Sequence, residues 1–278
     1  MFMPPLLTLK VHELMTAASR ADAATLECSL DLDRSMTSIS LSPSGWMWQS
    51  NHYPYLDQCK ERTVYYWNGT TFETAARYAG SLIKLVPTEW GAPTFEIDGI
   101  KMLPTSQLSP FIDAERKIAL IKPSGKVVLD TCGGLGYFAA WCLRGHAARI
   151  LSFEKNPNVL WLRTLNPWSP QPEDDPDRRL TITQGDIAEQ IGMLERDSVD
   201  AILHDPPRFG IAGELYSQAF YDQLARVVRR KGLLFHYTGT PNRLTSGRDV
   251  PNEVATRLRN AGFSTQLIGD GVLAKRVG

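Results

Sequence analysis

Hydrophobic and polar positions follow one rhythm in the first part of the chain and another in the rest. From about Thr25 to Ile121, short apolar stretches are cut by turn signals, in a background rich in Thr, Tyr, Trp and Ser. Thr63-Val64-Tyr65-Tyr66-Trp67 leads into Asn68-Gly69. β-Branched and aromatic residues favour a strand, and Asn-Gly accepts the positive φ angles of a tight turn, so this pattern predicts a hairpin. Phe95 to Ile100 alternates apolar with polar side chains and ends in a turn, and the alanine-rich Val11 to Ala24 predicts a short helix. The reading is a mostly β N-terminal domain over residues 1–113, closing near Ile112 to Lys117. Trp46, Trp48, Tyr65, Tyr66 and Trp67 either wall a substrate or, as aromatic strands more commonly do, fill the core.

Residues 114–278 alternate strands with helices. Val127 to Asp130 predicts a short buried strand, and Tyr137 to Leu143 a helix after a glycine-rich loop. Ile150 to Glu154 is a second strand, followed by a helix over Val159 to Leu165. Leu180 to Thr183 and Ala201 to His204 are the third and fourth strands. Phe220, Leu224, Val227 and Val228 share one face of a helix predicted over Tyr216 to Arg229. Gly232 to Phe235 is a fifth strand and Val254 to Asn260 a helix. Phe263 to Ile268 and Val272 to Lys275 flank Gly269-Asp270-Gly271 as a closing hairpin. Such alternation implies a parallel sheet wrapped by right-handed crossovers, with an antiparallel hairpin at its end. Asn166 to Arg179, with its prolines and acids, reads as a solvated loop over one sheet edge. Arg226, Arg229, Arg230 and Lys231 read as a solvated helix end, where cations favour the negative pole.

Composition narrows the function classes. Thirty basic residues balance thirty acidic ones, so no basic excess serves an extended nucleic-acid footprint. No window approaches the roughly 18–20 consecutive apolar residues of a membrane span. Met1 to Leu7 lacks the basic lead-in and cleavage site of a secretory signal. Cys28, Cys59, Cys132 and Cys142 show no CxxC spacing, so the expectation is a reduced, cytoplasmic enzyme with no metal site. A homodimer is compatible with the sequence.

The candidate chemistry begins at Leu129-Asp130-Thr131-Cys132-Gly133-Gly134-Leu135-Gly136-Tyr137, between a strand and a helix. Gly133, Gly134 and Gly136 permit a tight turn and close approach of backbone to ligand. Asp130 would repel a phosphate, and the spacing is not that of a dinucleotide-binding loop, so a ligand with a positive end fits better. Glu154 ends the next strand, about twenty residues on, where an acid accepts hydrogen bonds from ribose hydroxyls. Asp186 follows the third strand, within reach of an adenine amino group. Each acid alone reads as a surface carboxylate. Three of them past successive strand ends mark the edge where open α/β sheets bind ligands.

At these residues the chain resembles class I, Rossmann-like S-adenosylmethionine-dependent methyltransferases, whose sheets end in such a hairpin. It resembles more closely a family of predicted methyltransferases known mainly from archaea. The blocks that carry this are Glu96 to Met102, Leu129 to Ala139, Asn166 to Ser169, His204-Asp205-Pro206-Pro207-Arg208-Phe209, Gly213 to Ser217, Phe235 to Gly239 and Gly247 to Val250. The resemblance implies S-adenosyl-L-methionine as cofactor and a seven-stranded sheet. A looser similarity over Asp200 to Phe235 links the chain to spermidine synthases, which use the decarboxylated cofactor and have a small β domain in front. Those enzymes carry an acid at the position of Asp205 and a second, polyamine-holding acid three residues later, where this chain has Arg208.

Asp205-Pro206-Pro207-Arg208-Phe209 also resembles the Asp/Asn-Pro-Pro-aromatic motif of amino-methylating enzymes, with Arg208 in the aromatic slot and Phe209 one place later. Asp205 is the candidate to orient an amine or accept its proton. Arg208 either anchors an acceptor's carboxylate or phosphate or pairs with Glu214. His204 and His236 end strands at this edge and are either catalytic or hydrogen-bonded near the core, with His236 the stronger catalytic candidate. Phe209 and Tyr237 are candidate acceptor contacts, and Tyr216 packs at a helix start. The reading is N-methylation of an anionic small molecule or RNA, with aminopropyl transfer and non-catalytic cofactor binding as alternatives.

Overall fold

The computed structural model describes residues 3–239 and 249–277. Gly247 and Arg248, part of one resemblance block, lie outside them. The chain divides into two compact units, Met1–Asp113 with Trp161–Ser169, and Ala114–Leu160 with Pro170–Gly278.

The first unit carries three small antiparallel sheets. Strand β1 (Leu6–Leu7) pairs with β6 (Tyr65–Trp67), and β6 with β7 (Phe72–Thr74). β2 (Thr25–Cys28), β3 (Thr37–Ser42), β4 (Gly45–Trp48) and β5 (Asn51–Tyr53) form a meander. β8 (Ala76–Tyr78), β9 (Leu82–Val86), β10 (Thr94–Ile97) and β11 (Ile100–Lys101) form another. The Asn-Gly hairpin is present, but Trp67 pairs with Phe72, so its loop has four residues. Asn68 explains the length, since its Oδ1 accepts the N–H groups of Thr70 and Thr71, each at 2.8 Å. Between β10 and β11 the loop is the two-residue Asp98-Gly99, both at positive φ. Helix α1 (Leu9–Arg20) buries Val11 and Met15, one turn apart, and ends earlier than alanine content suggests because Asp22 takes φ 52°. Trp46 stacks on Tyr53 at 4.5 Å inside the core cluster, so the central aromatics serve packing.

The second unit holds a seven-stranded sheet. Its strands are β12 (Val127–Asp130), β13 (Arg149–Glu154), β14 (Leu180–Gln184), β15 (Val199–His204), β16 (Val228–Tyr237), β17 (Phe263–Ile268) and β18 (Gly271–Arg276). Their order is β14-β13-β12-β15-β16-β18-β17, with β18 antiparallel between β16 and β17. This is the expected seven-stranded sheet with its terminal antiparallel hairpin. Helices α2 (Pro110–Ile121), α3 (Tyr137–Arg144), α4 (Pro157–Leu165), the short α5 (Ile187–Gln190), α6 (Gln218–Val227) and α7 (Val250–Asn260) connect or flank strands. The core joins Leu129, Val199, Ile202 and Leu234 of the sheet to Phe220, Tyr221, Leu224, Val254 and Leu258 of α6 and α7.

Two expectations are corrected. Helix α6 ends at Val227 and β16 begins at Val228, so Arg229, Arg230 and Lys231 are not a helix end. Arg226 instead ties down the preceding loop, donating to the carbonyls of Leu194 and Ile191 at 2.7 Å each. The segment from Asn166 to Arg179 is only half solvated. Asn166, Ser169 and Asp175 are buried. Asn166 Nδ2 donates to Ser169 Oγ at 2.8 Å, and Trp168 Nε1 to the Leu32 carbonyl at 3.0 Å. Polar groups that hydrogen-bond one another need no water, and composition alone does not reveal that.

Candidate active site

Parallel pairing brings the predicted acids to one edge. Asp130, the last residue of β12, lies opposite Ser152 on β13 and Leu203 on β15, and Glu154 lies opposite Gln184 on β14. The chain then leaves β12 through a loop that only glycine accommodates easily, because Gly134 and Gly136 take φ 49° and 80°. Backbone bonds lock it, from the Gly133 N–H to the Phe153 carbonyl and from the Gly136 N–H to the Gly133 carbonyl, each 2.7 Å. Glu154 braces it from the side. Its Oε2 accepts the Gly134 N–H at 2.9 Å and its Oε1 the Asn156 N–H at 2.8 Å.

Asp130 sits differently from the expectation that it faces ligand. It is buried, and its Oδ2 accepts the hydroxyl of the equally buried Ser152 at 2.9 Å. Its carboxylate thus ties the end of β12 to β13 within the sheet. Asp186 caps α5, accepting the Ala188 N–H at 2.8 Å, and pairs with the Lys155 ammonium at 2.7 Å. Burial pushes its pKa upward, but the Lys155 and Ala188 hydrogen bonds prevail and hold it below the ordinary carboxylate range. Among the described residues, no group of three or more His, Cys, Asp or Glu could hold a metal ion.

The other half of the edge is built by β15 and β16, whose last paired residues are His204 and His236. Both histidines are buried, so neither side chain projects into solvent at the edge. His204 Nδ1 lies 2.7 Å from Thr131 Oγ1 and its Nε2 3.0 Å from the Leu215 carbonyl. His236 Nε2 lies 2.9 Å from Tyr221 Oη and its Nδ1 2.8 Å from the Tyr237 carbonyl. The rings meet edge to face at 4.4 Å. Desolvation lowers both pKa values, His204 to about 4 and His236 well below its ordinary value, the latter also through its neighbour His204. His236 has the geometry of a neutral interior brace.

Asp205 and Tyr237 directly follow and end these strands, and both are only partly buried. Between them lies a residue that sequence reasoning missed. Lys117, buried on α2, places Nζ 3.4 Å from Asp205 Oδ2 and 3.6 Å above the Tyr237 ring, with the Phe138 ring at 5.7 Å. Nothing in the local pattern singles it out, since Arg116-Lys117 reads as an ordinary polar pair on a helix. Past Asp205 the chain turns outward. Arg208 is exposed, and among the described residues its guanidinium forms no ion pair with Glu214 or any other acid. Phe209 meets Tyr216 edge to face at 5.4 Å, and Tyr216 Oη donates to the Pro207 carbonyl at 3.1 Å, which holds the Pro-Pro turn in place.

Among the described residues, no helix is long and apolar enough to cross a membrane. No protein-family model matches the chain. An uncharacterized protein of Methanocaldococcus jannaschii is 42% identical over 197 residues, which cover 70% of this chain and 66% of that protein, just under two thirds of its length. Among solved structures, a spermidine synthase in complex with the transition-state analogue AdoDATO superposes with a TM-score of 0.57 at 16% identity, over 74% of this chain and 77% of that one. Spermidine synthase from Thermotoga maritima gives a TM-score of 0.54 at 18% identity, over 76% and 77%. At such identities the likeness establishes a shared fold.

Proposed function

We propose that the chain is an S-adenosylmethionine-dependent methyltransferase that methylates nitrogen on an acceptor bearing an anionic group. We place its catalytic domain at residues 114–278 and a mostly β domain at 1–113. The observation that carries the cofactor reading is the glycine loop at positive φ, braced by Glu154, beside Asp130 at the end of β12 and Asp186 just past β14. The residues fit the group. Gly133, Gly134 and Gly136 let backbone approach it, Glu154 takes the ribose hydroxyls, and Asp186 takes the adenine amino group. Asp130 ties the end of β12 to β13. When bound, the cofactor supplies a methyl group already activated by its sulfonium. The chain's own part is position and desolvation. Asp205 orients the acceptor nitrogen and receives its proton, Tyr237 and Phe209 flank it, and Arg208 holds its carboxylate or phosphate. His236 keeps the Tyr237 backbone in place.

The test is a labelled-methyl transfer assay on fractionated small molecules and RNA, backed by cofactor calorimetry. Glu154→Ala should weaken adenosylmethionine binding roughly 10- to 150-fold, the loss of charged hydrogen bonds worth about 1.5–3 kcal/mol. Asp130→Ala should instead lower the urea midpoint, because it strands the buried Ser152 hydroxyl. Unchanged affinity in Glu154→Ala removes the cofactor assignment. Once an acceptor is in hand, Arg208→Lys keeps the charge but loses the planar fork, so it should raise the acceptor KM while leaving cofactor affinity alone. Unaltered kinetics would mean that the arginine does not touch the acceptor.

A second reading, aminopropyl transfer, has one observation in its favour, the shared fold with spermidine synthases over about three quarters of the chain. Against it stand two cations, Lys117 and Arg208, where a polyamine would need acids. Calorimetry separates the two, since an aminopropyl enzyme prefers the decarboxylated cofactor.

A further inference from the structure

An alkylammonium taken out of water needs a counter-charge and a polarisable surface in place of its hydration shell. The edge of β15 and β16 provides both. Asp205 contributes a carboxylate, Tyr237 presents its ring face, and Phe138 of α3 stands behind. His204 and His236 pair in register, so Asp205 and Tyr237 occupy matching positions one step beyond them on adjacent parallel strands. Two strands and a helix thus build an ammonium subsite at the sheet edge that the proposed function assigns to the acceptor.

That subsite already has an occupant from the chain itself. The side chain of Lys117 is only 5% exposed, so its ammonium has exchanged most of its hydration for this surround. Its position is also out of proportion to a stability role. Replacing a buried ion pair by apolar groups of similar volume is commonly neutral or favourable, so burial of the Lys117 ammonium beside a partly buried carboxylate is not explained by stability alone.

We propose that Lys117 is a tethered cation filling an ammonium subsite on the acceptor side, and that it sets the site's specificity against cationic acceptors. The inference rests on the reading of this edge as the acceptor side. A diamine arriving there meets a carboxylate already paired through Oδ2 and a ring face already covered, and it must bear the repulsion of the resident charge. An uncharged acceptor nitrogen can share the carboxylate without that repulsion. An anionic acceptor meets no such penalty.

The experiment titrates 1,4-diaminobutane into the full-length protein by calorimetry without cofactor, with sodium butyrate and 1-butanol as controls. The wild type should bind the diamine no better than the alcohol. Lys117→Ala vacates the subsite and should bind the diamine at least tenfold more tightly than wild type, and Lys117→Ala with Asp205→Asn should lose that gain. Lys117→Arg, which keeps a cation, should behave as wild type. If circular dichroism shows Lys117→Ala unfolded, Lys117→Gln keeps the stem without the charge and should still improve diamine affinity over wild type. Diamine binding by the wild type at the affinity of the variant, or no gain in any folded variant that lacks the charge, overturns the proposal. Adenosylmethionine affinity of the wild type is measured separately, so failure of the cofactor reading is distinguishable from failure of this one.

Discussion

Asp205→Ala is expected to abolish group transfer and, at the same time, to destabilise the protein by less than the roughly 3–5 kcal/mol that breaking a fully buried ion pair costs, because the Asp205 side chain is 19% exposed. The second effect comes from the residue left behind. The Lys117 side chain is 5% exposed and would keep the Tyr237 ring as a neighbour but lose the carboxylate at 3.4 Å. A ring face offsets part of that loss and a carboxylate much more. The two effects separate in a double variant. Adding Lys117→Met to Asp205→Ala removes the ammonium that has lost this carboxylate, with little change of volume, so the urea midpoint should return toward wild type while activity stays absent. If the midpoint of Asp205→Ala equals that of wild type, Lys117 is hydrated in solution and the ion pair carries no stability.

The second large effect is loss of stability in mild acid. His204 is held neutral by burial, with its pKa lowered from 6.5 to about 4, and His236 is lowered well below its ordinary value. A histidine whose folded pKa lies below its unfolded value stabilises the fold fully above the unfolded pKa. That contribution is lost as pH falls from about 6.5 toward 4, because the unfolded chain takes up the proton first. At about 1.36 kcal/mol per pH unit, His204 alone accounts for about 2 kcal/mol by pH 5 and about 3 kcal/mol by pH 4. His236 adds to this in the same direction. The window between pH 6.5 and 5 lies above the ordinary carboxylate range, so it isolates the histidines. Urea midpoints should fall steadily across it, and the fall should shrink in His204→Gln. A flat profile from pH 7 to 5 contradicts the neutral buried pair.

The two halves of the site were not equally legible. The cofactor half depends on short-range chemistry. A glycine loop between a strand and a helix, with acids at the ends of successive strands, marks the proposed cofactor site through spacing alone, because parallel strands put their C-terminal ends on one edge. Burial was the exception. Asp130 stands in the motif like a ligand contact, yet its burial and its bond to Ser152 come from the register of β12 against β13, which no local window contains. At the acceptor half, Asp205 and Tyr237 were visible as strand-end residues, and His236 looked like an acid–base group. Its bonds to Tyr221 and the Tyr237 carbonyl make it a brace.

By itself the amino-acid order determined the strands of the seven-stranded sheet and its terminal hairpin, because apolar periodicity and glycine-containing turn pairs act over a few residues. It also placed the candidate acids at or just past the ends of their strands. Tertiary structure decided what each polar group touches. Lys117 lies 88 positions before Asp205 and meets it only because α2 packs beside the edge of β15. Asn166 and Ser169 satisfy each other and become buried, although their segment has the composition of a solvated loop. The His204–His236 pair arises from strand register, and its neutrality from burial. The physical reason is common to all three. Secondary structure is governed by interactions a few residues apart, whereas desolvation and pairing depend on which distant groups the fold brings within a few ångströms.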